Sequence, residues 1–285
     1  MKRLPVKFLL LAAVCCGLVL SGAEDKNKEA EAELAQKLTA ASGTLKIADT
    51  IGNEEIVRNA ALFWGSSNAN MDITITKTTL LEVTEEKDDA KYDLVIYQTN
   101  PHNDYNLIPF GRSVVYALEP AVIYVRKDNK LTNIATSALN EIFCGDISTW
   151  QNLTNSNYTI RRYGVVFPEA GERAFRLTVM GQLGYTDNLL QLPSINDVLV
   201  NVSGSANAIG FGGYTDYRKV ENIKTVPVDG VAPDIGNIRN GSYPLSLQRQ
   251  GAIRNENANA VLFMQLLASV EARLKMSQKG LLPPQ

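Results

Sequence analysis

One histidine, His102, and three cysteines are all that the chain offers of those two residue types. A lone histidine excludes a multi-histidine metal site and argues against a histidine-based catalytic triad. Three thiols can build neither a disulfide framework nor a four-thiolate zinc centre. Surplus positive charge is missing too: 28 Lys and Arg face 30 Asp and Glu in 285 residues, so nothing drives sequence-independent binding to nucleic acid. The sequence holds no nucleophile elbow, Walker loop, His-Glu-x-x-His segment or paired-cysteine redox motif, and no enzyme activity is expected. What is present, 45% apolar and 20% charged residues, is the composition of an ordinary folded protein of one or two domains.

The first residues read as an export signal. Lys2, Arg3 and Lys7 precede an apolar run, Phe8 to Leu20, which is shorter than the ~20 residues of a membrane span. Ser21-Gly22-Ala23 then supplies small residues for cleavage after Ala23, so residues 1–23 are expected to be a signal peptide and the protein periplasmic or secreted. Cys15 and Cys16 raise the alternative of a lipid anchor, but Val14 and Cys15 are poor matches for the small residue that precedes a lipidated cysteine. Losing 1–23 removes three basic residues and no acidic one, which leaves 25 against 30 and a net charge of −5. Cys144 is then the remaining thiol, read as a buried small apolar residue.

Residues 24–43 are charged and alanine-rich and predict a solvated helix or tether. From Thr44 onward, strands alternate with helices. Thr44–Asp49 and Met71–Thr76 read as strands, Glu54–Trp64 as a helix with Ile56, Ala60 and Phe63 on one face, and Tyr92–Tyr97 as a buried strand. Two apolar runs between Ser113 and Val125 are broken by Glu119-Pro120. Further on come a helix over 137–144 ending at Gly145, a strand over 159–167, a helix over 172–180 and a glycine-laced strand from Ala208. A C-terminal helix over about 257–275 places Phe263, Leu267, Val270 and Leu274 on one stripe. This alternation predicts an α/β fold with largely parallel sheets.

Four segments, in order along the chain, carry a resemblance. Thr132 to Trp150 contains Leu139, Ile142-Phe143, Gly145, Ile147 and Trp150. Asn207-Ala-Ile-Gly-Phe211 follows. Then come Val228-Asp-Gly-Val-Ala-Pro233 with Asn237-Ile-Arg-Asn-Gly-Ser-Tyr-Pro-Leu245, and finally Gly280-Leu-Leu-Pro283. The set resembles the periplasmic phosphate-binding proteins (PstS-like). That resemblance implies a two-lobed type II binding-protein fold with the ligand cleft between lobes. One lobe would comprise 44–113 plus 213–285 and the other 114–212, with hinges near Arg112-Ser113 and Gly210–Gly213. It also implies a monomer that captures a small oxyanion, phosphate above all, without metal or cofactor, and hands it to an ABC transporter permease.

In such a family, backbone amides at helix N-termini and nearby hydroxyls hold the anion. Two turns correspond. The first, Ala48 to Asn53, offers Asp49 and Thr50; the second, Glu169 to Arg173, offers Ala170, Gly171, Glu172 and Arg173. Both depart from the pattern. Ala170 and Glu172 stand where the resemblance calls for serine and threonine, and Asp49 adds a carboxylate. Arg162 and Arg173 are candidate counter-charges. A third loop, Gln98 to Asp104, follows the strand at 92–97; its Gln98 and Thr99 could touch a ligand, while His102 reads as a surface turn histidine. Two readings therefore stand side by side: a phosphate receptor, or the same fold with an altered or lost phosphate site that takes another small solute or a protein partner.

Overall fold

The computed structural model describes residues 23–52, 54–85, 91–101, 112–167, 169–215, 217 and 220–284. The expected signal segment, Ala23 aside, lies outside them, as do His102, Asn103 and Asp104. In chain order the elements are α1 (Ala23–Ala40), β1 (Gly43–Asp49), α2 (Glu55–Ser67), β2 (Met71–Lys77), α3 (Leu80–Glu85), β3 (Leu94–Thr99), β4 (Arg112–Pro120) and β5 (Val122–Arg126). Next come α4 (Thr136–Cys144), α5 (Gln151–Thr154), β6 (Arg161–Val165), α6 (Glu172–Phe175, extended by a π-helical turn to Met180), β7 (Leu189–Leu192), α7 (Ile195–Ser203) and β8 (Ala208–Gly212). The remainder is β9 (Ile223–Thr225), α8 (Ile235–Arg239), β10 (Ser246–Ile253), α9 (Ala258–Leu267) and α10 (Val270–Gln278).

Two five-stranded sheets result, ordered β2-β1-β3-β10-β4 and β7-β6-β8-β5-β9. Each sheet has its own apolar core. Leu45, Ile47, Leu94, Ile96 and Phe263 anchor the first, and Tyr124, Phe143, Phe175 and Phe211 the second. In the second core the Phe175 and Phe211 rings stack at 4.0 Å between centroids, and Phe143 meets both edge-on. This is the two-lobed α/β architecture of type II binding proteins. The sheets are mixed rather than largely parallel: β1 pairs in parallel with β2 and β3, and β6 with β7 and β8, while every pairing of β10 and β5 is antiparallel. The antiparallel strands are the ones that carry the chain between the lobes.

The crossings differ from the expected 113/114 and 212/213. β10 holds β4 in the first sheet as far as Pro120, and the next amide, Ala121, donates across to the Leu245 carbonyl at 2.7 Å. The described residues within 213–245 stay with the second lobe, because β9 pairs with β5 and Val226, Val228, Ile238, Tyr243 and Leu245 are buried in its core. The described residues within 23–120 and 246–284 therefore form one lobe, and those within 121–245 the other. The Tyr243 hydroxyl donates to the Ala121 carbonyl, which braces the two crossing segments against each other. A third pass is made by the tail, where Leu118 and Leu282 form a two-way backbone bridge. Gly213, expected near a hinge, serves close approach instead: a Cβ there would meet the Gly280 and Ala170 carbonyl oxygens at 2.9 and 3.0 Å.

Two helices also depart from expectation. α1 is no free tether. It packs on α9, buries Leu38, and is pinned by the Trp64 indole and the Asn68 amide, which donate to the Leu38 carbonyl at 2.9 and 2.8 Å. The single C-terminal helix is two, divided where Ser269 caps α10 by accepting from Ala272. Phe263 and Leu267 are accordingly buried, whereas Val270 and Leu274 are exposed. Cys144, expected to be buried, is half-buried with its thiol 3.3 Å from the Asp146 carboxylate.

Candidate functional site

Between the lobes lies a pocket of about 60 Å³, room for a small solute or a few waters at ~10–15 Å³ each. Its walls come from five distant stretches: the turn before α2 and its start (Ile51, Gly52, Glu54 to Ile56), Glu119 in β4, the turn before α6 and its start (Phe167, Glu169, Ala170, Arg173), Arg249 in β10, and the tail residues Lys279 and Leu281.

The first turn is filled by its own side chain. Asp49, 1% exposed, accepts from the amides of Ile51 and Gly52 at 3.0 and 2.9 Å and from Glu54 at 3.2 Å. Glu54 in turn caps α2 by accepting from Ile56 at 3.3 Å. The unsatisfied donors that make a helix start attractive to an anion are thus spent on protein carboxylates. Thr50 points its hydroxyl at the Ile96 carbonyl, 2.9 Å away.

Behind this turn sits a buried ionic cluster. Arg249 donates to Glu119 Oε2 through Nε at 3.0 Å and Nη2 at 2.7 Å, and through Nη1 to Glu54. Gln98 donates to the same Glu119 oxygen at 2.7 Å. Burial pushes the Glu54 carboxyl above its ordinary value, with Glu119 and Asp49 adding to the rise and Arg249 opposing it. For Arg249 burial works toward release of the proton, but the Glu119 and Glu54 carboxylates outweigh it and hold the guanidinium charged. The Tyr116 phenol, also raised by burial, and Gln98 Oε1 have no hydrogen-bond partner among the described residues.

The second turn faces the same cluster from the other lobe. Gly171 N–H donates to Glu119 Oε1 at 3.3 Å. Its φ of +92° suits glycine, and a Cβ would lie 2.3 Å from the Gly212 carbonyl carbon, so β8 presses the turn into place. Arg173 reaches across to the Ile51 carbonyl at 2.5 Å, and burial lowers its proton affinity.

The residues expected at the site divide. Asp49, Gln98, Ala170, Gly171 and Arg173 converge on the pocket and its ionic cluster. Thr50 and Thr99 are tied into the first sheet, Thr99 by accepting from Gln250. Glu172 turns away to Arg176, 3.0 Å from its Nε, and to the Tyr185 hydroxyl. Arg162 is consumed inside the second lobe by the carbonyls of Ile142, Ile147 and Ile160, so neither it nor Glu172 faces the cleft. Glu54, Glu119 and Arg249 were not anticipated. Only Glu119 left a trace in the sequence, as a charge inside the apolar run 114–125. Among the described residues, no group of three or more His, Cys, Asp or Glu is arranged to hold a metal ion.

No family model matches the chain. The phosphate-binding protein PstS of Bacillus subtilis (strain 168) is 22% identical over 242 residues, which cover 84% of this chain and 77% of that protein. A possible phosphate binding protein from Planctomyces limnophilus has a TM-score of 0.71 at 15% identity, covering 86% of this chain and 94% of that one. PstS from Borrelia burgdorferi has a TM-score of 0.65 at 14% identity, covering 86% and 100%. In sequence and in fold, the chain is similar to phosphate-binding proteins, PstS among them.

Proposed function

We propose that this chain is an exported, non-catalytic solute-binding module of the ABC-receptor type, whose interlobar cleft takes a small cationic or neutral solute rather than free phosphate. One observation carries the reading: the carboxylates of Asp49 and Glu119 occupy the amides of both turns that would cradle an oxyanion. The pocket wall adds four carboxylates, Glu54, Glu55, Glu119 and Glu169, against Arg173, Arg249 and Lys279. Of these cations Arg249 is paired with Glu54 and Glu119, and Lys279 lies 2.9 Å from Glu55. A carboxylate ~5 Å from a phosphate repels it by roughly 3 kcal/mol at an effective dielectric of 20, on the order of a hundredfold in affinity.

The phosphate reading has the likeness to PstS in its favour, and one experiment separates the two. Titration calorimetry and thermal shift with phosphate and sulfate should give no response below millimolar concentration, while native mass spectrometry of freshly purified protein identifies any carried solute. Micromolar phosphate binding would reject the altered-site reading and leave a phosphate receptor delivering to a permease.

A further inference from the structure

A two-lobed receptor is held shut by groups that bond to both lobes at once. Here the polypeptide supplies such groups itself. The Ala170 methyl of the second lobe is buried in the first lobe's apolar cluster. Arg173 bonds the Ile51 carbonyl, and Gly171 N–H bonds Glu119. Glu119 is 0% exposed, and a carboxylate so deep in a strand is costly unless donors surround it. They do: the Gly171 amide from one lobe, and Gln98 with the Nε and Nη2 groups of Arg249 from the other. Backbone amide, side-chain amide and guanidinium converging from two lobes is the donor set that an oxyanion requires.

We infer that Glu119 is the built-in occupant of the cleft, a specificity-determining carboxylate that takes the oxyanion position, excludes free oxyanions and fastens one lobe to the other. This rests on the reading of the cleft given above. The test uses the full-length protein with spin labels on exposed positions of the two lobes, Asp72 and Tyr158. The parent should give one narrow interlobar distance, unchanged by phosphate or acetate. Glu119→Ala should broaden and lengthen that distance, gain at least tenfold in affinity for inorganic phosphate or acetate, and return to the parental distance when either anion is added. Arg173→Ala, at the pocket wall and outside the ionic cluster, should also broaden the distance with Glu119 in place, which keeps the test available if Glu119→Ala does not fold. Tight phosphate binding by the parent would defeat the proposed function. A parent with widely distributed lobe distances, a folded Glu119→Ala without anion gain, or an unaltered Arg173→Ala distance would defeat this inference.

Discussion

Replacing Arg249 with methionine removes a cation that bonds two buried carboxylates, Glu54 at 2% exposure and Glu119 at 0%. Deleting one partner of a buried ion pair costs about 3–5 kcal/mol, because the remaining charge stays desolvated. Methionine matches the arginine stem in length, so little of the loss should come from packing. Glu54 softens the penalty by taking up a proton, toward which burial already biases it. The loss should therefore approach 5 kcal/mol near pH 8 and shrink toward pH 5. Guanidinium unfolding followed by tryptophan fluorescence measures it, since Trp64 reports on the first lobe and Trp150 on the second. With a slope of about 4 kcal/mol/M, the first-lobe midpoint should fall by roughly 1 M. A loss under about 1 kcal/mol at neutral pH, or one independent of pH, would refute the account of the cluster.

Two further outcomes follow from the same contacts. Glu54 has its proton affinity raised in the folded state, so its contribution to stability is present at low pH and is lost as pH climbs from about 4.5 through the raised value. Glu54→Gln abolishes that titration; in melting curves between pH 4.5 and 8 the stability of the parent relative to Glu54→Gln should decline steadily, and a constant gap would contradict it. Asn68→Ala removes amide donations to the Leu38 and Ala41 carbonyls at 2.8 and 2.7 Å, at a cost of about 1–3 kcal/mol. It should also release α1 to protease cleavage, read by limited proteolysis, and an uncut α1 would argue against the pinning.

The fold was legible because its signals are local. Ile142, Phe143 and Trp150 are core residues, and Gly145, φ +108°, ends α4 in the left-handed conformation that glycine favours. Tyr243 and Leu245 sit at the crossing between lobes. Each lies within a few residues of its motif partners, so the pattern survives in the sequence. The cleft does not have this property. Glu54, Glu119, Gly171 and Arg249 are brought together by tertiary structure alone, and nothing near Arg249 in Ser246–Ile253 marks it as the centre of an ion cluster rather than an ordinary strand charge. Glu172 and Arg162 misled for the complementary reason: Glu172 holds a ligand-turn position and Arg162 is a type that suits an anion clamp, but helix phase and strand alternation aim them into the second lobe.

The strap formed by Gly280 to Leu282 bears on how the protein is made. Gly280 accepts from the Tyr214 amide, Leu282 zips onto Leu118, and Leu281 lines the cavity. Synthesis and any passage through an export channel run from the N-terminus, so this seam can be sewn only after the residues that precede Gly280 have emerged. A product that stops before Gly280 would leave the Leu118 edge without its cover, and a quality-control protease would find the opening there.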